Sequence, residues 1–177
     1  MNRLKPKTYW KDRTTNKPAH PETVRNIIID YFNMCKTMKK KINLCFTSAK
    51  KLKEAHNRLS EEYTAKRTPK VTVSKKSKFN SLRDILPEEF EWIKTTKRLV
   101  HESCSMHHCV ATYANKINAD HCAIYSAISP FDNKRYTIEF CIDSKQNYYI
   151  RQCYGVWDSD CPVEFWSYIE SFLKKAA

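Results

Sequence analysis

Glycine is almost missing from this chain: Gly155 is the single one among 177 residues. That scarcity excludes the glycine-rich loops with which nucleotide-binding folds bring backbone close to phosphates. No run of about 18 apolar residues occurs, which excludes a membrane-spanning helix. The opening MNRLKPKTYWKDR lacks the apolar core of a signal peptide, so a cytoplasmic protein with no membrane partner is expected. Eight cysteines are present, yet no two stand at the two-residue separation of a zinc knuckle. They read as reduced thiols and small apolar core residues, not as disulfides. Carboxylates are scarce in one half only. Residues 1–80 hold 21 Lys/Arg against 6 Asp/Glu, a net of +15, whereas residues 81–177 hold 11 against 13, a net of −2.

What is present divides along the same line. Hydrophobic residues make up 41% and aromatics 12%, enough for a packed core and against wholesale disorder. Residues 1–20 read as a flexible basic arm. From 21 to 66, Val24, Ile28, Tyr31, Cys35, Met38, Ile42, Cys45, Ala49, Leu52, His56, Leu59 and Tyr63 recur in alternating steps of four and three. This heptad pattern predicts one helix of about 68 Å, or two antiparallel helices broken near Thr47-Ser48. The hairpin is favoured, because a lone long helix must find a partner. Lys36, Lys39, Lys40, Lys41, Lys50, Lys51 and Lys53 lie off the seam or at its margin. A solvated flank would explain them, but few carboxylates stand between Asp30 and Glu54. Lys75, Lys76 and Lys78 continue the charge through a basic linker, 67–80.

Residues 81–177 read as an α+β domain: a three-stranded antiparallel meander packed by helices. Helices are predicted from Pro87 to about Leu99 and from Ser103 to Ile117, the latter turning Val110, Tyr113, Ala114 and Ile117 inward. Strands are predicted at Cys122–Ile128, Tyr136–Ile142 and Tyr148–Val156, the second half-buried by its alternation. With Phe140 opposite Ile150, Ile138 would face Gln152 and Glu139 would face Arg151. Pro162 opens a terminal amphipathic helix with Phe165, Trp166, Ile169, Phe172 and Leu173 as its buried stripe.

Two clusters could carry chemistry. In the first, His101, Cys104 and His108 stand at i, i+3, i+7 of the predicted helix, with His107 beside them. Such a set could hold Zn²⁺ or activate a thiol. No second ligand pair stands at finger spacing, so no metal and no cofactor is expected. Cys109 is expected in the core. The second cluster, Tyr149 to Asp158, ends a strand at Gly155, which marks either a positive φ or a close backbone approach. Tyr149, Tyr154 and Trp157 could stack on bases. Gln152 either satisfies a helix end or contacts a ligand. It should lie near the 107–108 pair, in an open pocket or a closed hydrogen-bond network.

His107-His108-Cys109-Val110-Ala111-Thr112-Tyr113, Ala123-Ile124-Tyr125-Ser126, Tyr136-Thr137-Ile138-Glu139 and Arg151-Gln152-Cys153-Tyr154-Gly155 resemble, in order and spacing, the PcfJ-like family over about residues 95–175. The matching positions are His108, Cys109, Tyr113, Glu139, Gln152 and Gly155. Where the family commonly has an Asn soon after the glycine, Val156-Trp157-Asp158 stands. The resemblance implies a plasmid or phage setting in which DNA or RNA is handled, and it supplies no established reaction.

The resulting expectation is a nucleic-acid-binding accessory protein of a mobile element. Its basic half and Arg151 would meet phosphates, and its second half would provide a specific groove or a docking surface for a nucleoprotein complex. One alternative is a nucleic-acid-processing enzyme using His107 or His108 with Glu139 and Gln152. Another is a protein-interaction module docking through the heptads.

Overall fold

The computed structural model describes residues 21–175, so the expected arm at 1–20 lies outside the described residues. The chain divides into two compact units, 1–63 and 64–177. Each is built as follows.

In the first unit, α1 (Pro21–Thr37) precedes α2 (Ala49–Arg67), whose last turn crosses the division. α2 begins directly after the predicted break at Thr47-Ser48, but α1 already ends at Thr37, so the heptad residues Ile42 and Cys45 fall in a loop, exposed. The physical cause is a cap. Lys39 takes a left-handed conformation (φ 53°), the Lys39 N–H donates to the Lys36 carbonyl, and the Lys40 N–H donates to the Cys35 carbonyl. This is the paired bonding with which a glycine usually ends a helix. The chain then doubles back along α1. The Asn43 N–H reaches the Tyr31 hydroxyl at 3.3 Å, and the Phe46 ring meets Tyr31 edge-on at 5.4 Å. Leu52 shares a cavity with Ile28 and Phe32, Leu59 joins the Tyr31–Cys35 core, and Lys40 pairs with Glu62. Partners step forward along both helices, so α2 runs parallel to α1, not antiparallel as expected.

The second unit is α+β. Its sheet has four antiparallel strands in the order β1 (Glu91–Trp92), β2 (Ala123–Ile128), β3 (Arg135–Ile142) and β4 (Tyr148–Tyr154). The meander expected with three strands therefore gains β1, which stands where a helix from Pro87 was predicted. Phe90 and Trp92 pack on one core and Ile93 on another, which is strand periodicity. The Trp92 ring also stacks on Tyr125, its register partner, at 5.7 Å. Before it, α3 (Leu82–Ile85) follows a stretch in which Val71, Ser77 and Phe79 are buried. The basic segment 67–80 is thus part of this unit's core and not a free linker.

Both faces of the sheet are covered. Tyr125, Ile138 and Phe140 pack with Phe79, Leu82 and with Phe165 and Ile169 of α6 (Val163–Lys175). On the other face, Ile124 and Cys141 pack with Leu99 of α4 (Thr96–Met106), with Val110, and with Ala114 and Ile117 of α5 (Ala114–Asn118). β3 is consequently buried on both sides, not half-buried as its alternation suggests. The predicted Ser103–Ile117 helix is broken at His107, which is left-handed (φ 56°), and resumes as a 3₁₀ turn, Cys109–Tyr113. That break moves His101 and Cys104 off the single face they were expected to share with His108.

Candidate functional site

The register between β3 and β4 slips once. Phe140 pairs with Ile150 as predicted, but Glu139 then pairs with Gln152 and Ile138 with Cys153, in place of the expected Glu139–Arg151 and Ile138–Gln152 pairs. The extra residue is Arg151, which the bulge leaves exposed with Nε 3.9 Å from Glu139 Oε2. The slip brings Glu139 and Gln152 side by side above the face covered by α4 and the 3₁₀ turn.

There they line an open cleft with His108, Tyr113, Thr137 and Asp158. The Tyr113 hydroxyl donates to Gln152 Oε1 at 3.1 Å. Cys109 also lines the cleft and is exposed, contrary to its expected place in the core. The 3₁₀ turn presents it outward while Val110 and Ala111 are buried.

Behind the cleft runs a buried polar chain. Glu102, fully buried on α4, accepts from Arg98 Nη1 at 2.8 Å, and the other side of the Arg98 fork holds Glu91. Arg135 closes from 3.8 Å and also donates to Ser105. The Thr137 hydroxyl donates to Glu102 at 2.5 Å, and His108 Nε2 lies 3.0 Å from the same hydroxyl oxygen. Because the Thr137 proton is committed to Glu102, its oxygen is left to accept from Nε2 of His108. Burial lowers the His108 pKa, with Asp158 and Glu102 pulling it back up. Burial raises Tyr113, and Glu139 adds to the effect. Burial likewise pushes the Cys122 thiol up to about 12, again with Glu139 contributing, so this thiol stays protonated at neutral pH.

His107 does not join the cleft lining. Its ring stacks on Trp157 at 3.9 Å between centroids and 1° between planes, although His107 and Trp157 are both left-handed. Gly155 has φ −85°, so the close-approach reading of this residue applies: a Cβ there would come 2.5 Å from Ser159 Oγ and 3.1 Å from Tyr136. The ten lysines singled out in the sequence are all exposed, with Lys40 paired to Glu62 and Lys50 to Glu54. Among the described residues, no group of three His, Cys, Asp or Glu is placed to hold a metal ion. None of the eight cysteines is joined in a disulfide, and no described helix is long and apolar enough to cross a membrane.

Sequence reasoning missed Glu102, Thr137 and Asp158 as site residues. A signal for Thr137 exists: it stands two before Glu139 on a strand and so shares its face.

A model of the PcfJ-like protein family matches residues 27–162. The match starts well before the resemblance noted at 95–175, taking in most of α1 and all of α2, and stops short of α6. No curated protein and no solved structure matches.

Proposed function

The chain belongs to the PcfJ-like family, and on that premise we propose that it is a nucleic-acid-binding accessory protein of a mobile genetic element. The observation that carries this reading is the charge division, +15 over residues 1–80 against −2 beyond. It is supported by the exposure of Lys36, Lys39, Lys41, Lys51, Lys53 and their neighbours, most of which have no carboxylate partner among the described residues. Such side chains release counterions when they meet phosphates. In the second unit the His108–Glu139–Gln152 cleft would supply specificity. Fluorescence anisotropy of labelled DNA and RNA across a salt series tests the reading. About four neutralised phosphates would weaken binding about 100-fold between roughly 50 and 200 mM salt. Replacing Lys50, Lys51 and Lys53 by Glu should flatten that dependence. Affinity indifferent to both salt and these replacements would reject the reading.

His108 lines the cleft with its pKa held below the usual 6.5 by burial, and this favours a second reading, in which the cleft processes nucleic acid with His108 as base. Cleavage of a labelled strand that is lost in His108→Gln and Glu139→Gln would select it. Intact strands in the presence of wild-type protein would dismiss it.

A further inference from the structure

We infer that the cleft receives the Watson–Crick edge of an unpaired guanine. The inference rests on the nucleic-acid reading above and names the ligand of that site.

Glu139 is 2% exposed, and neither of its carboxyl oxygens meets an N–H or O–H donor; the Cys122 thiol, a weak donor, is the group left to it. Burying such oxygens without donors is costly, and native proteins rarely do it away from a ligand. Arg151 Nε, at 3.9 Å, is too far to donate. Beside Glu139 across the sheet stands Gln152, whose Oε1 is occupied by the Tyr113 hydroxyl. The amide N–H₂ is then what Gln152 offers to a ligand. Glu139 thus brings two buried acceptors to the cleft lining, and Gln152, its partner across the ladder, brings a donor.

Among the four bases only guanine carries the complement. Its N2–H₂ and N1–H donate side by side, and O6 accepts next to them. Adenine pairs one donor with one acceptor, cytosine has one donor and two acceptors, and uracil or thymine alternates acceptor, donor, acceptor. A guanidinium, as on an arginine side chain, also has adjacent donors, but it has no acceptor for the Gln152 amide. Flat surfaces for base stacking are close at hand. Tyr154 lines the cleft, and Trp157, 71% exposed and stacked on one face by His107, precedes the cleft residue Asp158 in sequence. Reading a Watson–Crick edge requires a single-stranded or extruded nucleotide.

The test uses the full chain and calorimetric titration with the four ribonucleoside 5′-monophosphates. Their phosphates are identical, so any preference reports the base. GMP is expected to bind about tenfold or more tightly than the other three, the discrimination of one bidentate pair. Glu139→Gln should erase the preference. Gln152→Glu, which turns the donor into an acceptor facing O6, should erase it independently, should the first variant fail to fold. Equal binding of all four nucleotides, or displacement of GMP by an equal concentration of methylguanidine, overturns the inference. Salt-sensitive oligonucleotide binding without base preference overturns it too, while leaving the nucleic-acid reading intact. A GMP preference in a chain that binds no oligonucleotide upholds the guanine site and rejects that reading.

Discussion

Thr137 on β3 and Glu102 on α4 share a 2.5 Å hydrogen bond that links a fully buried carboxyl group to the histidine at the cleft. One hydroxyl thus holds two partners, with its proton given to Glu102 and its lone pair turned to His108.

Thr137→Val keeps the side-chain shape and removes that hydroxyl. Glu102, fully buried, loses a donor, and His108 loses its anchor. Urea denaturation should show a loss of about 1–3 kcal/mol, and Thr137→Ser should retain most of the stability. A valine variant as stable as wild type would mean that the chain from Arg98 to His108 contributes nothing to folding.

Stability should fall between about pH 7 and pH 5.5 through His108. Burial holds its folded pKa below the usual 6.5, so the unfolded chain takes up the proton first. The stability it contributes is complete above 6.5 and is lost as pH falls from that value through the lower folded pKa. The carboxyls of Glu91 and Asp132, whose pKa values are lowered by Arg98 and by the Tyr136 hydrogen bond, act in a more acidic window. Urea midpoints at the two pH values should differ less in His108→Gln than in wild type. Equal differences would refute the assignment.

Gly155→Ala should destabilise the second unit by about 1–3 kcal/mol, the range of an overpacked core. The new methyl group meets the buried Tyr136 ring at 3.1 Å, and Ser159 Oγ at 2.5 Å has to turn away. Adding Ser159→Ala should recover part of the loss, since it clears one of the two obstacles. If the double variant melts no higher than Gly155→Ala alone, the serine is not one of those obstacles.

Two truncations differ sharply in expectation. A chain of residues 64–177 retains Val71 and Phe79, both buried in the second unit. A chain of residues 81–177 discards them, and Phe79 is completely enclosed. The first should melt cooperatively and the second should not. A cooperative melt from residues 81–177 would show that this aromatic anchor is dispensable.

The strands β2 to β4 and α6 are legible because their signals are local, namely alternation in twos and an apolar stripe after Pro162. The helix ends are not legible, for a physical reason. The usual stop sign is a glycine in the left-handed region, and the chain has none there. Lys39, His107 and Asp120 take that conformation instead, each at the end of a helix. Histidine and aspartate enter that region more readily than most residues but still uncommonly, and lysine lacks that preference, so neither the positions nor the stops stand out in the sequence. The co-location of His108, Tyr113, Glu139 and Gln152 follows the family pattern. The pairing of Glu139 with Gln152 depends on a bulge that strand periodicity does not reveal. Glu102 was hidden because its partner Thr137 lies 35 residues away, and no spacing rule links a helix carboxyl to a strand hydroxyl.

The strand order has a consequence in time. β2, β3 and β4 follow one another through connections of only a few residues, 129–134 and 143–147. Their ladders therefore zip with little loop-closure entropy. β1 joins only after about thirty intervening residues, 93–122, have folded over the sheet face as α4 and α5. Amides of β3 such as Ile138 should therefore gain protection early in refolding. The Ile93 amide, which bonds to the Ile124 carbonyl at 2.8 Å, should gain it late, as the last edge of the sheet closes.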